Sequence, residues 1–423
     1  MELKTLEAYL DEEAQDLTSK CTKCGKCFEV CPMINFTPLK GRESVPVVTD
    51  LVNLLRDGVW SDAVGTWAQA CTGSGECITH CPEHINPRKM LSLAIVKTRR
   101  RQSAQGNNPA AGFYKRMSQT IHLLVGLQMM PERYRGLTGR HADKKEAEVV
   151  FYLGCNVLRT PHIVFNVLDL LDALEANYVV LGGVSNCCGI IHLKFHGDVD
   201  GADRVTEGTL DKLGAYRPKT VLHWCPSCVL HFGETTAGFR SVDFEFQHVT
   251  RFLVERLERL RPRMRPVGQL AAIHRHDAGL GVAEDVETLL GAIPGLKLVH
   301  LEDEARWAYT CGPLGLNLVP DAKKALHQRM LESARDKGVD MLVNLYHSCH
   351  RDLAGFEGEY PFRILNWTSL LCEALGLESH EDRFKRYRLL KDVQAVLEDA
   401  QEFIRANRLD PKVVEEILPN LLN

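Results

Sequence analysis

Cys21-Thr22-Lys23-Cys24-Gly25-Lys26-Cys27-Phe28-Glu29-Val30-Cys31-Pro32 is the stretch on which the reading of this chain turns. Cysteines separated by two, two and three residues and closed by proline bring thiolates on a tight turn around one cube of iron and sulfide. A second run, Cys71-Thr72-Gly73-Ser74-Gly75-Glu76-Cys77-Ile78-Thr79-His80-Cys81-Pro82, repeats the spacing with Ser74 where the second cysteine would stand. Zinc uses C-x2-C pairs but seldom asks for the full four-cysteine run followed by proline. The chain has fifteen cysteines, and in a reducing compartment metal ligation explains such a number better than disulfides do.

Both runs have the form found in two-cluster ferredoxins, where the last cysteine of each run serves the other cluster. This assigns Cys21, Cys24, Cys27 and Cys81 to a 4Fe-4S cluster. Cys31, Cys71 and Cys77 are left for a second, which is either 3Fe-4S or a 4Fe-4S cluster whose last iron takes Ser74 or another oxygen ligand. The residues between the runs have helical periodicity, so the segment 1–98 reads as a mostly α-helical ferredoxin-like domain. Residues 99–147 read as a linker rich in Gly, Asn and Pro followed by a connecting helix. The basic run from Lys97 to Arg101 reads as the solvated end of a helix.

From residue 148 short apolar strands alternate with helical stretches, and the alternation occurs twice, over 148–262 and 266–378. The first repeat carries Cys155, Cys187-Cys188-Gly189 and Cys225-Pro226-Ser227-Cys228, each at the end of an expected strand, where sites in open α/β sheets assemble. Five thiols exceed the needs of one tetrahedral zinc and favour an iron–sulfur cluster. The expected fold is therefore an α+β multidomain chain: a helical two-cluster domain, tandem α/β cysteine-rich repeats and a helical tail over 379–423.

On these residues the chain resembles heterodisulfide reductase, as a fusion of its C and B subunits or as its D-type form made of one polypeptide. The wider family includes the iron–sulfur subunits of glycolate oxidase, lactate-utilisation and anaerobic glycerol-3-phosphate dehydrogenase systems. The resemblance implies cysteine-rich domains of the CCG type, with a noncubane 4Fe-4S cluster on Cys155, Cys187, Cys188, Cys225 and Cys228. In the heterodisulfide reductase branch it also implies disulfide cleavage between two such clusters.

The second repeat departs from that pattern. Offsets of 121 to 124 residues set Gly279 opposite Cys155, Thr310 and Cys311 opposite the adjacent pair, and Tyr346 and Cys349 opposite Cys225 and Cys228. A smaller site, zinc or a small cluster, is open to Cys311 and Cys349 with one or two of the histidines in His274-Arg275-His276 and His347-Ser348-Cys349-His350, with His276 and His350 singled out, since imidazole and thiolate both bind zinc and iron. The alternative for the histidines is ordinary hydrogen bonding at strand ends. Cys372 reads as core, and His223, Trp224 and His231 as packing or as contacts that tune a cluster.

Net charge of −4 gives no nucleic-acid footprint. No apolar run is long enough to span a bilayer, and the acidic, amphipathic start is unlike a signal peptide, which points to the cytoplasm. No full glycine-rich nucleotide fingerprint occurs. The function expected is an iron–sulfur electron-transfer subunit of a heterodisulfide-reductase-like oxidoreductase complex, working between a partner flavoprotein or reductase subunit and the CCG-type cluster. The alternatives are a catalytic subunit acting on a disulfide, thiol or sulfur compound at the noncubane cluster, and a zinc-bearing scaffold. No residue is singled out as catalytic, and the tail is the expected contact for a partner.

Overall fold

The computed structural model describes residues 4–139, 146–276, 279–301 and 306–419. The N-terminal unit is built from helices whose apolar residues recur on one face. In Leu6–Lys20, Leu6, Tyr9, Leu10, Ala14 and Leu17 are buried, and Thr5 starts the helix by accepting the Ala8 N–H on its hydroxyl. In Ser44–Asp57 the buried set is Val47, Val48, Leu51, Val52, Leu54 and Leu55, and Gly58 ends the helix in the left-handed region. Trp67, on Asp62–Gln69, packs edge to face on Phe28 at 5.1 Å.

The helix Pro87–Ala104 is capped by Asn86, with Pro87 in its first turn. It crosses the 98/99 position expected to open the linker and buries polar as well as apolar residues, among them Arg88, Lys89, Ser92, Thr98 and Arg99. The reason is its place between the N-terminal unit and the first repeat: Arg88 meets Glu234 and Ser92 accepts from Lys194. The basic run is therefore only partly solvated. Arg100 pairs with Glu7 and Arg101 lies over Trp60, while Arg99 is buried.

Each repeat forms a four-stranded parallel sheet. The first contains β1 (Val149–Gly154), β2 (Tyr178–Gly182), β3 (Thr220–His223) and β4 (Glu245–His248), in the order β2-β1-β3-β4. The second contains β5 (Leu270–His274), β6 (Lys297–Val299), β7 (Met341–Asn344) and β8 (Arg363–Asn366), in the order β6-β5-β7-β8. The identical order and the all-parallel pairing make the two units copies of one design. The fourth strand of each sheet, β4 and β8, was not expected from the sequence. Across the seam between the repeats, the indole N–H of Trp224 donates to His347 Nδ1 at 3.1 Å and Trp224 stacks on Trp367.

The tail consists of short helices from Arg383 to Ile417. Its apolar residues Tyr387, Val396, Ala400, Ile404, Val414 and Leu418 close over Leu123 and Leu127, and the Tyr387 hydroxyl donates to the Leu127 carbonyl at 2.7 Å. That face is thus occupied within the chain. Among the described residues no helix is long and apolar enough to cross a membrane.

Candidate metal centres

The two N-terminal cysteine runs fold alike. Lys23 and Gly25 adopt φ of 59° and 83°, Gly73 and Gly75 adopt 70° and 87°, and a single helical turn follows each loop. Positive φ at two positions turns the backbone so that the flanking thiols face inward. Cys21, Cys24, Cys27 and Cys81 line one enclosed pocket together with Val48, Leu51 and Ile85. Burial pushes the Cys27 thiol up to about 12, with Cys21, Cys24 and Cys81 adding to the rise. Cys31 sits instead with the second run: burial and then Cys71 raise it to about 11. Burial raises Cys77 well above the thiol range, followed by Cys71 and Cys31. Thiols crowded in this way strongly resist ionisation unless a cation joins them, and a metal cluster meets that condition. Ser74 lies in the second loop at the place Cys24 has in the first.

In the first repeat the order β2-β1-β3 sets three strand ends side by side, and each delivers cysteines: Cys155 after β1, Cys187 and Cys188 after β2, Cys225 and Cys228 after β3. Their thiols touch in series. Cys187 is held well below its ordinary range by the thiols of Cys155 and Cys188, while Cys155, Cys188 and Cys228 are driven well above it, each first by a neighbouring thiol. Gly154, at φ +68°, would with a Cβ come 3.1 Å from Cys228 Sγ. Thr206 Oγ1 donates to the Cys188 carbonyl at 2.9 Å and Thr209 Oγ1 to the Cys187 carbonyl at 2.7 Å, which fixes the adjacent pair from behind. His231 Nε2 lies 3.0 Å from Thr206 Oγ1, so it supports that anchor, whereas His223 stacks on Phe246. The donor set fits a thiolate-bound cluster and has no oxygen or imidazole ligand among its five members.

The second repeat gathers His274, His276, Cys311 and Cys349, all buried, with their ligand atoms within 4.8 Å of one another. His350, expected beside the cysteines, points elsewhere: its Nε2 is 2.6 Å from Asp382, which also faces His162. His274 takes its place. Sheet register shows why the end of β5 supplies two of the four. Val149 pairs with Thr220 and Ala271 with Met341, which makes Val149 and Ala271 equivalent and sets His276 opposite Gly154. Asp277, not Gly279, then matches Cys155, and it lies outside the described residues. His327, on Pro320–Asp336, also reaches Cys311, at 3.3 Å. A single histidine on a helix gave no sequence signal for this. Cys372 is core, its thiol on the Asn166 carbonyl.

One residue outside every expected site joins two of these centres. Tyr309 donates its backbone N–H to the Thr72 carbonyl at 3.2 Å, its ring covers Gly73, and its hydroxyl lies 2.9 Å from Ser227 Oγ in the Cys-Pro-Ser-Cys segment. Thr72 Oγ1 in turn donates to the Trp307 carbonyl. Beside this contact a cavity is lined by Cys71, Arg88, Arg99, Lys194, Glu234 and Tyr309. Burial pushes the Glu234 carboxyl up, but Arg88 at 2.7 Å outweighs it, and the net shift is downward.

Two thiol sets on ferredoxin-type loops, followed by a five-thiol set on parallel strand ends, define an iron–sulfur electron-transfer subunit of the oxidoreductase class. A 4Fe-4S dicluster domain matches residues 17–85, and a cysteine-rich domain matches both 149–233 and 274–354. The chain is 23% identical over 385 residues to the B subunit of fumarate reductase (CoM/CoB) from Methanothermobacter marburgensis, covering 88% of this chain and 75% of that one. It is 21% identical over 396 residues to the D subunit of dihydromethanophenazine:CoB–CoM heterodisulfide reductase from Methanosarcina acetivorans, covering 84% and 94%. The chain belongs to the cysteine-rich (CCG) iron–sulfur family that includes the D subunit of heterodisulfide reductase.

Proposed function

We propose that the chain is a relay, passing single electrons between a partner subunit that handles two, such as a flavoprotein, and the five-cysteine site of the first repeat. Cys21, Cys24, Cys27 and Cys81 would hold one cluster, Cys31, Cys71 and Cys77 a second, and Cys155, Cys187, Cys188, Cys225 and Cys228 a noncubane third. Bound clusters supply one-electron carriers whose potentials are set by ligands, hydrogen bonds and exposure. The chain's own residues orient and insulate them: Thr206 and Thr209 hold the adjacent cysteines, and Arg88, Lys194 and Arg99 place positive charge near Cys71.

The observation that carries the reading is Tyr309. A single side chain spans from the loop of Cys71 to the segment between Cys225 and Cys228, so the second and third thiol sets are separated by one ring. The test is freeze-quench paramagnetic resonance of the anaerobic full-length chain after mixing with a low-potential donor. Signals of the N-terminal clusters should appear before that of the five-cysteine site, and Tyr309→Ala should slow the second phase at unchanged iron content. If the five-cysteine site were reduced first in wild type and the variant alike, the relay reading would fail.

The alternative is catalysis at the five-cysteine site on a disulfide or sulfur compound. Cleavage between two equivalent clusters is disfavoured, because among the described residues the second repeat gathers two thiols with imidazoles where the first gathers five thiols. Rapid turnover of a disulfide by the isolated chain with an artificial donor would move the assignment to catalysis.

A further inference from the structure

We propose that His274, His276, Cys311 and Cys349 form a closed site for one zinc ion, and that this ion fixes the Tyr309 segment against the N-terminal domain. The four residues are buried and converge from three different elements: the end of β5, the loop after β6, and the helix His347–Leu353 after β7. With zinc–sulfur and zinc–nitrogen bonds of about 2.3 and 2.0–2.1 Å, a tetrahedron has sulfur-to-nitrogen edges of about 3.5 Å. Cys311 Sγ lies 3.2 Å from His274 Nε2 and 3.5 Å from His276 Nε2.

The histidine tautomer is also prepared. His276 Nδ1 donates to the Ala308 carbonyl at 2.9 Å, which leaves the Nε2 lone pair facing the cysteines, the arrangement usual for a metal-bound imidazole. A two-iron cluster with cysteines on one iron and histidines on the other would hold both nitrogens away from both sulfurs. Here both imidazoles lie against the same sulfur, which suits a single ion. Four protein ligands leave no open position, so the ion is structural rather than catalytic. His327, 3.3 Å from Cys311 Sγ, is placed to donate to the thiolate.

The consequence reaches across the molecule. Ala308 and Cys311 flank Tyr309, and the same segment pairs with Thr72. The ion would therefore tie the strap that covers Gly73. This holds whether or not the relay reading is right, since it concerns zinc and the strap only.

The experiment is elemental analysis of zinc and iron in one anaerobic preparation of the full chain. One zinc per chain beyond the iron is expected, with X-ray absorption at the zinc edge showing two sulfur and two nitrogen ligands. His276→Gln and Cys349→Ser should lower zinc, keep iron, and increase hydrogen exchange over residues 306–312, whereas His350→Ala should keep zinc. Should Cys349→Ser fail to fold, the wild-type zinc-edge spectrum still decides. Absence of zinc from an iron-replete chain would overturn the proposal, as would a zinc site lost in His327→Ala but kept in His274→Ala.

Discussion

Gly73 shows how much the assembly asks of one residue. Its φ is +70°, and a Cβ there would fall 2.5 Å from the Tyr309 ring. Gly73→Ala meets both penalties, so a loss of about 1–3 kcal/mol is expected, read as a lower melting temperature together with an altered signal from the cluster on Cys71. A similar melting temperature and an unchanged signal would show that Tyr309 does not press on the loop. Ser74 gives a second residue-scale prediction. With three thiols in the second set, the oxidised protein should show a three-iron signal or a four-iron cluster with an oxygen ligand, and Ser74→Cys should convert it towards an ordinary cube. Two fully cysteine-ligated N-terminal cubes in the wild type would contradict this. The cysteine runs were readable because ligand spacing is local, whereas their crossed grouping came from the known form of two-cluster ferredoxins and not from spacing. Tyr309 was not, because its role depends on Thr72 and Ser227, far from it in sequence.

At the scale of elements, β1 to β3 and β5 to β7 were legible as short apolar runs between helical stretches. β4 was hidden because Glu245 and Gln247 interrupt its apolar pattern on an edge that does not need one, and β8 because Arg363–Asn366 runs without a break into the helix Trp367–Leu375 and reads as its start. The error over His350 has another source: sequence offset cannot say which histidine near a lost position faces inward, and in the structure His350 turns to Asp382 while His274 and His276 face Cys311. The ends of β3 and β4 carry a pH dependence. Burial depresses His223 to about 3, with His248 adding to it, and depresses His248 to about 4. Both lie below the unfolded value of about 6.5, so the unfolded chain binds protons first. Their contribution is complete above about pH 6.5 and declines as pH falls towards 4. Each group should steepen the loss by up to about 1.4 kcal/mol per pH unit. Denaturant midpoints measured between pH 7 and 5 should therefore fall, and His248→Gln should make the decline shallower. An equally steep decline in that variant would remove His248 from the account.

At the scale of the whole molecule, the helical tail is part of the fold rather than a free arm. Amphipathic periodicity made its helices legible, but periodicity alone does not name the surface they cover, and Leu123 and Leu127 turn out to be that surface. Truncation after residue 382 should therefore expose these leucines and lower the melting temperature by several degrees or more, in keeping with about 1.5–3 kcal/mol for each large apolar side chain uncovered. A truncated chain with unaltered melting behaviour would mean the tail packs only loosely. The second repeat illustrates the same dependence between parts. It has lost the five-thiol set, yet it supplies Tyr309 to the contact between the other two units, which gives a physical reason for a duplicated domain without a duplicated cluster site. The central claim, three iron–sulfur centres held in line by one chain, is tested most directly by iron and acid-labile sulfide analysis of anaerobically purified full-length protein. The account predicts about eleven or twelve irons per chain with matching sulfide, falling by about four when Cys187 and Cys188 are replaced. A wild-type content near eight irons, unchanged by that replacement, would contradict it.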